Sequence, residues 1–465
     1  MQLRFFSSSV SLLTFFFVFF AEVWAKTSKS TSRPPKDVSL TSNYSSQKKP
    51  RTTRSSRKKR HRRLKISRSL KPMPPLSEAP FSADVPLLPL IEQAKSRLEK
   101  ETVRYFAGSR QAPARREVKL VLAHFKTGEL RIVSAVEQNR KLTLQEPGIR
   151  HQVDWWNGFN SSITVIDPPY TGVVAMLYGL EPDRQKLLGQ DAIIYTPYSS
   201  ALLQSELVEA GKTYLMQAIR QARQELGQVK SLAFPGMTLA NSPAFTDEDY
   251  FGLILTEQMD PGRFRSIAAN TWEFNDDQQG QIMRLAERIL AIIGANQEDA
   301  YNFTGNYASA RGLTQFTPVG MSVVWSRYPE AGISRDFRKA TSSHVSAIKA
   351  EICLLDHDLA ELAKCHPALI GSGAEMYAAG ASYNGGPGRV RHGLENFGLT
   401  WFHPISRLAD LEAKGILSPS ERKEYLWLKR NRSHETFIYL NKIHAIQRSR
   451  DRLTASREVS PTASQ

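Results

Sequence analysis

Three short segments of this chain combine residue types able to hold a polar ligand. Asn302-Phe303-Thr304-Gly305-Asn306-Tyr307-Ala308-Ser309-Ala310-Arg311-Gly312-Leu313-Thr314-Gln315-Phe316-Thr317-Pro318 interrupts an otherwise helical stretch and leads into a new helix. Its small residues let two backbones approach closely, and Gln315 presents an amide that can hydrogen-bond a ligand. In Ala381-Ser382-Tyr383-Asn384-Gly385-Gly386-Pro387-Gly388-Arg389-Val390 a helix ends in Tyr-Asn, and a Gly-Gly-Pro turn begins the next. Glu435 and Tyr439 stand at i and i+4, which places them on one face of a third helix.

Other chemistries fit less well. His434-Glu435 opens like a His-Glu-x-x-His zinc helix, but Ile438 stands where the second histidine is required. No Cys/His cluster has metal spacing, so neither metal nor cofactor is implied. A thiol peptidase is the nearest rival class. Cys353, however, lies in the apolar run Ile352-Cys353-Leu354-Leu355, where a thiol is core; a reactive one needs an electropositive, partly exposed site. Gly385-Gly386-Pro387-Gly388 lacks the strand and the lysine of a phosphate loop. Cys353 and Cys365, on one helix, are separated by about 18 Å, which excludes a disulfide and leaves two buried free thiols.

The 465 residues suggest two or three domains at about 100–200 residues each. With 41% hydrophobic and 23% charged residues, the bulk is neither disordered nor a polytopic membrane protein. The net charge of +17 is concentrated: residues 26–75 carry seventeen cations against the single acid Asp37, which leaves 76–465 near neutral. That segment, nearly devoid of apolar residues, is expected to be a disordered basic tail. It reads as a spacer or as an electrostatic anchor to an anionic envelope polymer or membrane surface. Only Tyr44 offers an aromatic ring there, which argues against nucleic acid as a partner. Residues 1–25 read as a secretory signal: Arg4, the apolar run Val10–Phe20, and Val23-Trp24-Ala25 as the cleavage site. Export to the periplasm or cell wall follows. Stretched to Phe5–Ala25 the run just reaches spanning length, so an uncleaved inner-membrane anchor is the alternative.

The elements that must position the three segments fall into two groups. Residues 76–240 read as an α+β accessory domain. Leu90–Phe106 has helical spacing, and Val118–Leu122 and Leu130–Ile132 form a hairpin across Lys126-Thr127-Gly128-Glu129. Ile163–Ile166, Val173–Leu177 and Ala192–Tyr195 are further strands, followed by a long helix over Ser199–Leu226. Trp155 and Trp156 suit a core better than a sugar platform, given the area each buries. Beyond the Pro/Gly-punctuated joint Lys230–Ala244, residues 241–450 read as nearly all helical. The spacing predicts helices over about 247–257, 276–296, 340–364, 373–383, 405–414, 419–430 and 434–449. Residues 451–465 close the chain as a disordered tail.

Taken in order, the small-x-x-Gly-Leu-x-Gln-Phe-x-Pro loop, the Tyr-Asn-Gly-Gly-Pro-Gly-Arg-Val turn and the Glu-Thr-x-x-Tyr helix resemble the lytic transglycosylases of peptidoglycan. The likeness spans roughly 246–448 and implies a mainly α, lysozyme-like domain after the α+β one. Thr314 stands where many soluble-type members have Met, and Ser309 where Gly is usual. The resemblance implies cleavage of the β-1,4 bond between N-acetylmuramic acid and N-acetylglucosamine, with glycan strands as the partner. One glutamate is general acid, then base, while the substrate's N-acetyl group replaces a second carboxylate. The 6-hydroxyl then attacks C1, giving a 1,6-anhydro end. By the same resemblance Gln315 with Gly312 in its loop, Tyr383, Asn384, Glu435 and Tyr439 line the glycan cleft.

Two glutamates precede the loop. Glu298, in Gln297-Glu298-Asp299-Ala300-Tyr301-Asn302, is close to the Glu-Ser-x-Phe-Asn of soluble-type enzymes. Glu257 ends the helix Tyr250-Phe251-Gly252-Leu253-Ile254-Leu255-Thr256-Glu257 and precedes an inserted helix, a layout similar to the membrane-bound type B enzymes. The acid must stay protonated near neutral pH, which calls for an apolar pocket and no adjacent cation. Both lie at helix ends, where anions are disfavoured. Glu257 follows apolar positions and Glu298 has a like charge beside it, so desolvation favours Glu257 and leaves Glu298 as the alternative. A wall-binding scaffold without activity and an ordinary lysozyme-type hydrolase are the competing functions.

Overall fold

The computed structural model describes residues 81–108, 113–139, 141–155, 161–268, 274–303, 309–402, 412, 414–431 and 435–454. The expected signal, the basic tail, residues 304–308 of the Asn302–Pro318 loop, Trp156, most of the helix expected over 405–414 and residues 455–465 of the C-terminal tail lie outside them, while residues 451–454, expected to be tail, are helical. The fold is an antiparallel α+β region followed by a helical region. Among the described residues no helix is long and apolar enough to cross a membrane.

The chain opens with helix α1 (Leu87–Leu98). Strands β1 (Tyr105–Phe106), β2 (Arg115–His124), β3 (Leu130–Gln138), β4 (Lys141–Leu144), β5 (Arg150–Trp155), β6 (Ser162–Asp167) and β7 (Thr171–Gly179) follow. A short helix α2 (Pro182–Leu188) leads to β8 (Ala192–Tyr195). The main sheet runs β4-β3-β2-β7-β8 with β1 on β2, and β5-β6 is a separate pair. The expected β2–β3 hairpin forms, with Val118 opposite Ala135 and Ala123 opposite Leu130. Strand β7 is buried at all nine positions because both faces are covered. Leu87, Ile91, Ala94 and Leu98 of α1 join the core on one side, and Leu120, Leu122, Val173, Met176 and Tyr195 form it on the other. The helix expected to reach Phe106 stops at Leu98, because Arg104 is pulled onto the sheet edge by the bond from Glu117 N to its carbonyl (2.9 Å).

Helix α3 (Ser205–Glu225) starts later than its spacing suggests, after a 3-10 turn at Ser200–Leu202. The helical region then comprises α4 (Asp247–Gln258), α5 (Pro261–Ala268), α6 (Asp276–Asn296), α7 (Pro318–Arg327), α8 (Phe337–Ser342), α9 (His344–Cys365), α10 (Glu375–Gly385), α11 (Pro387–Phe397), α12 (Pro419–Asn431) and α13 (Glu435–Thr454). The single helix expected over 340–364 is two. Ser343 is extended and caps α9, its hydroxyl accepting from Ser346 N. Capping boxes at Thr246/Asp249 and Asn275/Gln278 start α4 and α6.

Helix α3 packs on α6 at backbone contact. A Cβ on Gly211 would sit 1.9 Å from Leu290 O, and one on Gly294 would sit 2.1 Å from Leu207 O. Leu215, Ile219 and Ala222 of α3 belong to the helical core, while Ala291 and Ala295 of α6 belong to the core under the sheet. Asn296 completes the tie: its side chain accepts from Thr196 N (2.8 Å) and donates to Thr196 O (3.0 Å). The packing therefore runs continuously across residue 240. Cys353 is buried as expected, whereas Cys365 is exposed: it is the last residue of α9, where the helix has left the core.

Candidate functional site

Helix α4 is apolar all round, with Tyr250–Thr256 buried without interruption, so it runs through the interior and delivers Glu257 at its last turn. Glu257 is half-buried. The Tyr439 hydroxyl on α13 donates to Glu257 Oε1 at 2.5 Å. One residue on from Glu257, Gln258 turns the other way, and its Nε2 donates to Leu313 O (2.6 Å) and Gly312 O (3.2 Å). These bonds tie the end of α4 to the Arg311–Phe316 turn.

That turn is a closed hairpin, with Arg311 N bonded to Phe316 O (2.9 Å) and Phe316 N to Arg311 O (3.0 Å). Gln315 is half-buried, has φ +49°, and donates from Nε2 to Gly312 O (2.9 Å). Gly312 is buried with φ +73°, and a Cβ there would lie 2.2 Å from Thr341 O, so only glycine lets the turn seat on α8. Its place is in the support of the loop. Tyr383, at the end of α10, donates to Thr314 O (2.7 Å) and packs edge-on against Phe316, with centroids 5.9 Å apart. Asn384 follows it, half-buried, and Glu435 is exposed at the first turn of α13.

The site thus gathers Glu257, Gln315, Gly312, Tyr383 and Tyr439, with the charge of Glu435 felt at Glu257. Glu298 is not among them. It is exposed on a 3-10 turn after α6, and among the described residues its carboxylate makes no hydrogen bond or ion pair. Its charge is felt at Tyr214 on α3.

The electrostatics of Glu257 agree with its placement. The Glu257 carboxyl is raised to about 7: burial pushes it up, the Tyr439 hydrogen bond and the Lys442 charge hold it back, and Glu435 adds to the rise. Burial raises Tyr439 and Tyr383 far above the ordinary phenol range, and the charge of Glu257 adds to it, so both stay hydrogen-bond donors.

Three contributors escape a reading of the sequence. Lys442 contradicts the expectation of a site without a cation. It is buried one turn beyond Tyr439, and its Nζ donates to Met259 O (2.6 Å) and Thr256 O (3.2 Å). A cation is tolerated because these carbonyls stand at the C-terminal end of α4, whose partial negative charge it meets. Its spacing on α13, three residues after Tyr439, is the signal that marks it. Gln258 has no such signal. Glu351, on the inward face of α9, is fully buried, and neither carboxylate oxygen has a hydrogen-bond partner. Burial, and after it the charge of Glu257, raises it well above the carboxylate range. An acid at the head of the apolar run Ile352–Leu355 is its trace in the sequence.

Among the described residues no three His, Cys, Asp or Glu side chains are grouped to hold a metal ion. No protein-family model, curated protein or solved structure matches the chain.

Proposed function

We propose that the chain is a peptidoglycan lytic transglycosylase, that its residues 241–450 form a lysozyme-like domain, and that Glu257 is the single general acid and base. The observation that carries this reading is a carboxyl raised toward neutrality at the end of an apolar helix, hydrogen-bonded by Tyr439 beside the Gln315 turn and Tyr383. Protonated Glu257 gives its proton to the glycosidic oxygen as the bond to C1 of N-acetylmuramic acid breaks. The substrate's own N-acetyl oxygen stabilises C1, so no second carboxylate is needed. The Glu257 carboxylate then takes the 6-hydroxyl proton as that oxygen closes on C1, which leaves a 1,6-anhydro end and restores the acid. Tyr439 holds the carboxyl in place through both steps. The α+β region and the basic tail serve to localise an exported enzyme on the wall or envelope surface.

The test is product analysis on purified sacculi. Anhydro-muropeptides are expected from the unaltered protein and from Glu298→Gln, and none from Glu257→Gln. Reducing ends in their place mean a hydrolase. Sedimentation with sacculi and no release means a scaffold. Loss in Glu298→Gln with retention in Glu257→Gln transfers the acid to Glu298.

A further inference from the structure

Lys442 is 5% exposed, and lysine is almost never so buried without a partner. Its hydrogen bonds go to two carbonyls, Thr256 O and Met259 O, which bracket Glu257 in sequence. It forms no ion pair with a carboxylate among the described residues. A helix end in need of a cap is ordinarily served by a glycine or by a side chain at the surface. Here a full charge has been placed in the interior, on the backbone carbonyls either side of Glu257.

We propose that Lys442 is a positioning residue for the acid: its ammonium clamps the backbone on either side of Glu257 and supplies the counter-charge for the carboxylate formed when the proton leaves. This rests on the reading of Glu257 as the proton donor. Without such a charge, burial alone holds the proton too tightly for it to be passed to a glycosidic oxygen. With the charge in hydrogen-bonding contact, the acid is too weakly protonated near neutral pH to donate. A cation held by carbonyls, near the carboxyl but not bonded to it, lies between those limits. The other groups facing this pair are Asp260 and Arg265 next to Lys442, Glu435 on the same helix, and Glu351, Tyr383 and Tyr439 around Glu257. Burial lowers the Lys442 ammonium below the usual lysine range, and the charges of Glu257, Asp260 and Glu435 raise it against Arg265.

The test separates charge from capping. Glu257 is followed by NMR in protein labelled with carboxyl-13C glutamate, its signal identified by its loss in Glu257→Gln. Lys442→Gln keeps a donor for the carbonyls and removes the charge; Lys442→Arg keeps both. The Glu257 midpoint is expected to rise by about one unit or more in Lys442→Gln, the scale of one nearby opposite charge, and to stay near its original value in Lys442→Arg. Because only protonated Glu257 donates, the alkaline limb of anhydro-muropeptide release moves to higher pH by the same amount. An unmoved midpoint and limb in Lys442→Gln reduce the lysine to a cap and overturn the proposal. If Lys442→Gln fails to fold, 15N-lysine titration of Glu257→Gln decides. The Lys442 midpoint is expected to fall once the facing anion is gone, and an unchanged midpoint overturns the coupling. The two readings fail separately: no product from the unaltered protein strikes out the acid itself, whereas a fixed midpoint in an active protein strikes out Lys442 alone.

Discussion

His344 offers a direct measure of how tightly the helical region is built. It is the first residue of α9 and is 1% exposed. Its Nε2 donates to Ala300 O (2.8 Å), and its Nδ1 accepts from the Tyr214 hydroxyl (3.0 Å). The neutral ring therefore satisfies both nitrogens and joins α3, α9 and the turn after α6. Protonation would place a second N–H against the tyrosine hydroxyl, and burial lowers the imidazole to about 4. A group depressed in the folded state contributes its full stability above the unfolded value near 6.5 and loses it as pH falls through the folded one. Integrating between those limits, the contribution lost between pH 7.5 and pH 4.5 is about 2.5 kcal/mol. Glu257 and Glu351 are raised and act in the opposite sense over part of that range, so the effect is read as a difference. Urea unfolding of the unaltered protein and of His344→Gln, whose amide keeps a donor and an acceptor, is measured across that range. The stability gap should close by about that amount toward pH 4.5. Parallel curves would show that the ring is not buried as described and refute the reasoning.

Three further outcomes are expected. Tyr439→Phe removes a hydrogen bond that favours the Glu257 carboxylate, worth about 1.5–3 kcal/mol for a charged acceptor; the Glu257 midpoint should rise by about one to two units, read by the same carboxyl-13C titration. Gly312→Ala meets both a positive φ and the Thr341 carbonyl. It should cost about 1–3 kcal/mol in urea unfolding and abolish release from sacculi at temperatures where the fold persists. Glu351 is raised in the folded state, so the unaltered protein loses stability as pH rises above the unfolded carboxylate value, with a slope of up to about 1.4 kcal/mol per pH unit. Glu351→Gln should remove that slope and be the more stable protein at pH 8 by chemical denaturation.

Local chemistry was legible wherever neighbours in the chain decide the outcome. The β2–β3 hairpin follows from alternation around Lys126-Thr127-Gly128-Glu129, and the bounds of α6 follow from its 3.6-residue period between Asn275 and Asn296. The apolar approach to Glu257 was equally plain, because desolvation by its own helix can be read from Tyr250–Leu255. What the chain order hides is what distant segments do to one another. Lys442 lies 185 residues from Glu257 in sequence and Glu351 lies 94 away; only the packing of α13 and α9 around α4 makes them its electrostatic surroundings. The choice between Glu257 and Glu298 belongs to the same class. Both stand near helix ends and both precede the loop, but Tyr439 bonds one, whose neighbour Gln258 bonds the Gln315 turn, while the other is exposed. A helix's period can say that a residue is buried. Which charge it is buried beside is set by long-range contacts, whose energies depend on distance through space and carry no imprint in the local pattern.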